Sequence, residues 1–394
     1  MKQDQLDSAT GSKLAEGFAA RYGGIARVFR APGRVNLIGE HTDYNDGFAL
    51  PAAINLYTWV AIGPRTDETL HVYSENRKEA VEINLREAAP RAKNHWADYV
   101  QGLAVMLQGL GIAVRGANLL IHSDVPSGSG LSSSAALEVS VASALLGNSG
   151  QSVNPLEMAK LCQRAENDFV GARCGIMDQF AACFGRAGHA ILLDCRSLEG
   201  TALPLPRDVS MVICNTLVKH EHSGGGYNTR RGECEEGVQR LRQWIPGLKS
   251  LRDVSLSQLE AQRQDLPAPI YRRCRHVISE NARVLNTVEA LRQGNLAAIG
   301  KYMAESHQSL REDFEVSCHE LDVMVELAQQ CSGVVGARMT GGGFGGCTIN
   351  LVNTARVESF QESVADGYKR ALGKTPEIHV STAGEGAAEI GTAS

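Results

Sequence analysis

Arg34, Glu40, His41 and Asp43 fall within ten positions of one another in APGRVNLIGEHTDYNDGFALP, residues 31–51, between apolar runs that read as β-strands. Carboxylates accept hydrogen bonds strongly, imidazole accepts or donates, and guanidinium carries a permanent positive charge. A set this dense suits a ligand rich in hydroxyls. The plainer alternative is a polar hairpin loop, because Asn45-Asp46-Gly47 has the residues of a tight turn.

A second chemical signal lies in DVPSGSGLSSSAALEVSVA, residues 124–142, where a strand runs into a glycine-rich loop and then a helix. Gly128 and Gly130 let the backbone approach a ligand, and a helix N-terminus offers unpaired N–H groups, an arrangement suited to phosphate. Ser132, Ser133 and Ser134 add hydroxyls for phosphate oxygens or a magnesium ion. The loop lacks the lysine of a Walker A motif, and Ser133 stands where a Rossmann fingerprint has its third glycine. A serine-capped helix after a flexible turn is the simpler reading.

MTGGGFGG, Met339 to Gly346, reads either as an irregular hairpin or as a loop packed tightly on another loop or a nucleotide. Asp178 sits in the apolar context GARCGIMDQFAACFG and needs a partner there. It is either a helix-start cap or a base and electrostatic anchor held by a cation such as Arg34. Glu166, on a predicted helix twelve residues earlier, is either part of a solvated face or a second acid of the site. His220 and His222 in KHEH lack a third ligand at suitable spacing and read as a solvated loop, not a metal site.

Elements that must position these residues follow from periodicity. Residues 1–25 read as a helix, and RVNLIG, FALPAAI, YTWVAIG and TLHVYS as strands. ADYVQGLAVMLQGLG, residues 132–147 and LEMAKLCQRAENDFVG read as helices, GANLLIHSDVP as a strand, and HAILLDCRS and VSMVICNT as strands near position 200. From about Tyr227 to Gln330 the pattern is helical and charged, then VVGARMTGGGFGGCTINLV is strand, loop and strand, and helix–strand alternation runs from Val357 to Val380. The tail STAGEGAAEIGTAS is expected to fray. The chain is α+β in two halves, and its 394 residues exceed what one core usually serves.

Composition bounds the function. Hydrophobic residues are 43% and charged residues 21%, a globular balance, and the net charge of -5 without a lysine–arginine block argues against nucleic acid and membrane surfaces. The N-terminus has no apolar core of the kind a signal peptide needs, and no apolar stretch is long enough to span a membrane. Ten cysteines, none in a CxxC pair, read as thiols of a reducing cytoplasm.

Together the motifs carry a resemblance. RAPGRVNLIGEHTDYNDG resembles the galactokinase signature, and PSGSGLSSSAA resembles the ATP-binding motif of the GHMP small-molecule kinases. CGIMDQF, YNTRR, SHQSLREDFEVSCHELD and RMTGGGFGG resemble galactokinase segments in the family's order, from about residue 27 to the region of Val380. The resemblance implies a two-lobed α+β fold, with a ribosomal-S5-like N-terminal lobe over residues 1–200, a ferredoxin-like C-terminal lobe over 201–394, and the active site in the cleft. It implies transfer of the γ-phosphoryl group of ATP to the C1 hydroxyl of α-D-galactose.

By the same resemblance, Asp178 is the catalytic carboxylate and Arg34 its cationic partner. Gly128, Ser129, Gly130, Leu131, Ser132, Ser133 and Ser134 match the phosphate loop, with Ser74 and Trp96 near the nucleotide. Ser134 and Glu166 match the ligands of Mg²⁺, with Ser133 the alternative to Ser134. Glu40, His41, Thr42, Asp43, Gly175 and Tyr227 match the sugar-contacting positions. The expected partners are galactose and MgATP, with no nucleic acid and no membrane, for a cytoplasmic monomer. A related GHMP kinase acting on N-acetylgalactosamine is the nearest alternative. A non-catalytic sensor of galactose and ATP is another, but such proteins lose the Ser-Ala pair that Ser134-Ala135 retains here. Two features depart from common family forms: Arg173 stands where proline is frequent, and three glycines precede Tyr227.

Overall fold

Apolar runs between residues 27 and 123 fold into one sheet whose two faces are both covered. The computed structural model describes residues 3–219 and 223–391, so His220 and His222 lie outside the described residues. In chain order the first half holds α1 (Gln3–Tyr22), β1 (Arg27–Asn36), β2 (Phe48–Ala49), β3 (Pro51–Pro64), β4 (Thr69–Ser74), β5 (Glu79–Asn84), α2 (Asp98–Gly109) and β6 (Ala117–Ser123). There follow α3 (Ser133–Asn148), α4 (Pro155–Arg164), α5 (Met177–Phe184), β7 (His189–Asp194) and β8 (Glu199–Pro204). The second half holds β9 (Val209–Lys219), α6 (Ser223–Leu241), α7 (Leu256–Ala261), α8 (Ala268–Arg292), α9 (Leu296–Glu312) and α10 (His319–Gln330). It ends with β10 (Val334–Met339), β11 (Gly345–Asn353), α11 (Val357–Leu372), β12 (Glu377–Ser381) and β13 (Ala388–Ile390).

The first sheet has strand order β13-β1-β3-β6-β4-β5 and is antiparallel except between β4 and β6. Side chains alternate across it. Val28, Trp59, Ala61 and Leu120 face Leu14 and Phe18 of α1, whereas Val60, Ile62, Leu119 and Ile121 face Leu103 and Leu107 of α2 and Val139 of α3. A strand covered on both faces reads as a nearly continuous apolar run, and β3 is buried along most of its 14 residues. FALPAAI and YTWVAIG therefore form one long strand past the two-residue β2, not two strands. Its partner β1 carries a register shift between Pro32 and Arg34, opposite the residues between Ala53 and Tyr57. Bulges re-aim side chains, and this one falls immediately before Arg34.

The second sheet, order β10-β11-β9-β12, packs α10 and α11 through Met324, Val325, Phe360, Val364 and Tyr368 against Val212 and Cys214. Its β9-α10-β10-β11-α11-β12 path is the split βαβ, ferredoxin-like arrangement, with α6 to α9 inserted after β9. A third sheet, β2-β7-β8, is small. The tail does not fray as expected over residues 388–390. Val28 pairs with Ile390, and the Arg27 guanidinium forks onto Glu389 at 2.7 Å through both Nε and Nη2, fixing β13 on the sheet edge.

Candidate active site

The glycine–serine loop stands between two cavities. One, of about 480 Å³, is walled by Arg34, Glu40, His41, Asp43, Asp178 and Tyr227. The other, of about 710 Å³, is walled by Ser74, Trp96 and Tyr99. Gly128, Ser133 and Ser134 line both, so two ligands seated in them would meet across the loop. The loop takes left-handed backbone at Gly128 (φ 65°), Gly130 (φ 81°) and Ser132 (φ 58°). Strain of this kind at a non-glycine residue gathers at ligand-binding sites.

Arg34 and Asp178 form the centre of the first cavity. The register shift just before Arg34 places extra residues on β3 opposite a single one of β1, and the Arg34 backbone N–H donates to Leu131 O at 3.1 Å. Arg34 Nε donates to Asp178 Oδ1 at 2.8 Å and Nη2 to Oδ2 at 2.9 Å, while Nη1 donates to Gly130 O at 2.6 Å. Ser132 Oγ donates to Asp178 Oδ2 at 2.5 Å. Asp178 lies in the first turn of α5 and has a partner on both oxygens, which answers the desolvation problem its apolar neighbours pose. Ser132 is the N-cap residue of α3 but makes no side-chain cap bond, so the serine-cap reading does not describe it.

The 41–47 turn builds the next wall. His41 adopts φ 62°, exchanges a hydrogen bond of 2.8 Å between Nδ1 and Tyr44 Oη, and packs against the rings of Phe314 and Tyr227. Burial lowers its pKa to about 3, so the ring is neutral, and its buried Nε2 has no protein partner. Burial and then the Asp178 charge raise Asp43 to about 6. Gly175 fits against Asp43 only without a side chain, since a Cβ there would lie 1.9 Å from Asp43 Oδ2. Thr42 faces away from this cavity, donating to Gly39 O at 2.8 Å or Phe48 O at 2.7 Å. Asn45 and Gly47 keep the tight-turn role: Asn45 Nδ2 donates to His41 O at 2.9 Å and Gly47 N to Thr42 O at 2.8 Å.

On the opposite side, Ser134 and Glu166 line the cavity together, and the nearby Ser134 hydroxyl favours the ionised form of Glu166. A π-helical turn, Ala165–Val170, continues α4 and holds Glu166 buried, not on a solvated face. Gln179 Nε2 donates to Glu166 Oε2 at 2.7 Å and to Glu138 Oε2 at 3.0 Å. Burial and then the Asp178 charge push the Glu166 carboxyl up, and burial and then the Glu166 charge push Glu138 up. Such a set of hard oxygens with excess negative charge fits a magnesium ion, which takes one or two protein oxygens beside phosphate and water.

MTGGGFGG packs as the tight-packing reading expects, against the phosphate loop. A Cβ on Gly341 would lie 2.7 Å from Gly130 O, and one on Gly346 would lie 2.6 Å from Ser129 O. Ser129 and Leu131 serve this packing, with the Ser129 hydroxyl donating to Pro126 O at 2.8 Å and Leu131 buried in the core. The two departures also find local reasons. Arg173 Nη2 donates to Glu235 of α6 at 2.6 Å, and a Cβ on Gly226 would meet the Phe344 ring at 2.7 Å.

Sequence reading missed Tyr99, Gln179 and Glu138. Tyr99 lies three residues after Trp96 on the same wall, in the first turn of α2, which Trp96 precedes. Glu138 carries the signal that Asp178 does, an acid in an apolar stretch, but its partner Gln179 is 41 residues away.

Comparison with known proteins agrees with this geometry. The galactokinase galactose-binding signature matches residues 16–64, the GHMP kinases N terminal domain residues 98–186, and the GHMP kinases C terminal domain residues 287–370. A galactokinase of a Roseiflexus species is 46% identical over 96% of this chain and 97% of its own length. One of Haemophilus influenzae is 45% identical over 90% and 93%. The crystal structure of Lactococcus lactis galactokinase complexed with galactose has 38% identity and a TM-score of 0.92, covering 96% of this chain and 99% of that one. Methanococcus jannaschii mevalonate kinase, at 19% identity, TM-score 0.65 and coverage of 92% and 99%, shares the fold. An arginine-paired aspartate, a phosphate loop between two cavities and this likeness over nearly the whole length say the same thing: the chain belongs to the galactokinase family of GHMP kinases, ATP-dependent sugar kinases.

Proposed function

We propose that the protein transfers the γ-phosphoryl group of ATP to the C1 hydroxyl of α-D-galactose, releasing galactose 1-phosphate and ADP. The observation that carries this reading is the Arg34–Asp178 pair beside a phosphate loop shared by a hydroxyl-binding cavity and a larger second one. Phosphoryl transfer needs positioning and charge neutralisation more than covalent chemistry. A carboxylate has about four lone-pair sites; three donors, Arg34 Nε and Nη2 and Ser132 Oγ, fill all but one on Asp178. That last site takes the C1 hydroxyl, orients it and receives its proton as oxygen attacks phosphorus. Arg34 holds Asp178 and turns its positive charge toward the phosphoryl group.

Loop N–H groups from Gly128 to Ser134 cradle the phosphates, and Trp96, Tyr99 and Ser74 wall the space for the base and ribose. Ser134 and Glu166 would hold Mg²⁺, which supplies charge neutralisation at the phosphates. Glu40, neutral His41, Asp43 and Tyr227 bond the sugar hydroxyls, and a lost partner among such buried groups rejects an epimer. We read the enzyme as a monomer. Ten free cysteines suit a reducing compartment, and we place it in the cytoplasm. No helix among the described residues is long and apolar enough to cross a membrane.

The test is ADP release with galactose and close analogues, with and without magnesium. Galactose should give turnover that magnesium removal abolishes. Turnover of N-acetylgalactosamine with galactose inert would replace the substrate, and binding of galactose and ATP without ADP release would replace the activity by sensing.

A pH dependence follows. Burial raises Glu40 to about 7, against the pull of Arg338, and raises Asp43 to about 6. Both accept sugar hydroxyls best when ionised, so the KM for galactose should fall as pH rises through 6 to 7 and then level. Fold stability should move the other way. A carboxyl whose folded pKa exceeds its unfolded value loses stabilisation as pH rises between the two. Initial rates across pH check this, and Asp43→Asn should remove the lower inflection; a KM flat over that range would refute the assignment.

A further inference from the structure

We propose that Arg338 is a positioning residue for sugar recognition, holding the Glu40 carboxylate in the orientation that presents it to the hydroxyl-binding cavity. The proposal rests on the sugar-kinase reading and deepens it. Arg338 lies on β10, just before the glycine-rich loop, and is 0% exposed. Its Nη1 is 2.6 Å from Glu40 Oε2 and donates to Asn36 O at 3.2 Å. Nε and Nη2 have no hydrogen-bond partner. A guanidinium buried this completely is costly, and an apolar side chain of similar volume would often serve packing as well or better. Packing therefore does not account for it.

The geometry around Glu40 does. Its Oε2 also accepts from Asn36 Nδ2 at 3.0 Å, and its Oε1 accepts from Gly341 N at 3.0 Å. The carboxylate, 1% exposed yet on the cavity wall, is thus fixed by β1 on one side and by β10 and the glycine-rich loop on the other. The backbone of the same residue is held separately. Glu40 O pairs with His276 Nε2 at 3.2 Å, and Gly39 N donates to Glu280 Oε1 at 3.0 Å, both from α8. Glu280 is itself paired with Arg283 at 2.7 Å. Loss of Arg338 would therefore leave the turn in place and remove the charged one of the contacts that orient the carboxylate, leaving Asn36 Nδ2 and Gly341 N to hold it. The charged and titratable groups around Glu40 are Arg338 from β10, His276, Glu280 and Arg283 from α8, and the adjoining His41.

Steady-state kinetics of Arg338→Met, Glu40→Gln and the double variant test this, with wild type run beside them. Arg338→Met should raise the KM for galactose by roughly tenfold to a hundredfold, with the KM for ATP within about twofold of wild type. In the Glu40→Gln background the same change should add less than about threefold, because the group it positions is gone. An equal rise in both backgrounds, or a lowered melting temperature with an unchanged galactose KM, would overturn the proposal. Should Arg338→Met prove insoluble, Arg338→Lys decides: it keeps the charge but not the guanidinium geometry, so the galactose KM should rise at least about fivefold. A wild-type value there would overturn the proposal. A wild-type protein that makes no ADP from galactose would instead overturn the kinase reading, whatever the variants do.

Discussion

Asp178→Asn should lower kcat by about 10²–10⁴-fold, the usual worth of a positioned proton acceptor. The change is nearly isosteric and removes the negative charge. It also sets an amide N–H₂ against donors, since Arg34 Nε, Arg34 Nη2 and Ser132 Oγ all point at this group. Two consequences separate cleanly. Chemistry suffers because the C1 hydroxyl loses its acceptor. The fold suffers less, because Asp178 is 26% exposed at its side chain and water shares the burden, although Arg34 at 6% is left without its counter-charge. Single-turnover ADP release should show the loss in the chemical step, while equilibrium binding of galactose should stay within several-fold of wild type. Turnover within about threefold of wild type would remove Asp178 from the chemistry.

Most of this centre was legible in the sequence because its signals are local. An acid in an apolar stretch, a glycine–serine loop before a helix and a dense polar cluster each declare themselves within about twenty residues. Asp178 and Glu166 each left two readings open, since sequence spacing does not say what faces a carboxylate. The fold supplies what faces each of them: Arg34 meets Asp178 across 144 residues, and Glu166 is buried on the cavity wall. The Glu40–Gly341 contact, across 301 residues, and the Arg338 pairing were not legible for the same reason. On the fold side, EAVEIN and EGTALP were not read as strands. Both are sheet-edge strands with mostly exposed or half-exposed residues, β5 and β8, and only the short Val81–Ile83 alternation in β5 marks a covered face. The β13 strand was hidden in small polar sequence; it pairs with β1 and meets the Arg27 fork there, across 362 residues, contacts no local pattern encodes.

Arg34→Lys should be nearly as damaging as loss of Asp178, though it keeps the charge. Lysine is a point charge with three rotatable donors, whereas Arg34 uses a rigid fork on three separate acceptors at once. Nε and Nη2 span the two oxygens of Asp178, and Nη1 reaches Gly130 O at 2.6 Å. That third bond joins the catalytic carboxylate to the phosphate loop, and Gly130 in turn packs on the Gly341 backbone, so one side chain sets the relative position of acceptor and phosphate cradle. A lysine can satisfy Asp178 or Gly130 O, and the misplacement that results is worth about 10²-fold in a transfer step. The KM for galactose should change far less than kcat, because Glu40, His41 and Asp43 are held by other contacts. Asp178→Asn and Arg34→Lys combined should cost little more than either alone, as groups that act as one unit do. A combined loss equal to the product of the two single losses would show that they act independently, and would sink the assignment of Arg34 as the residue through which Asp178 and the phosphate loop are held together.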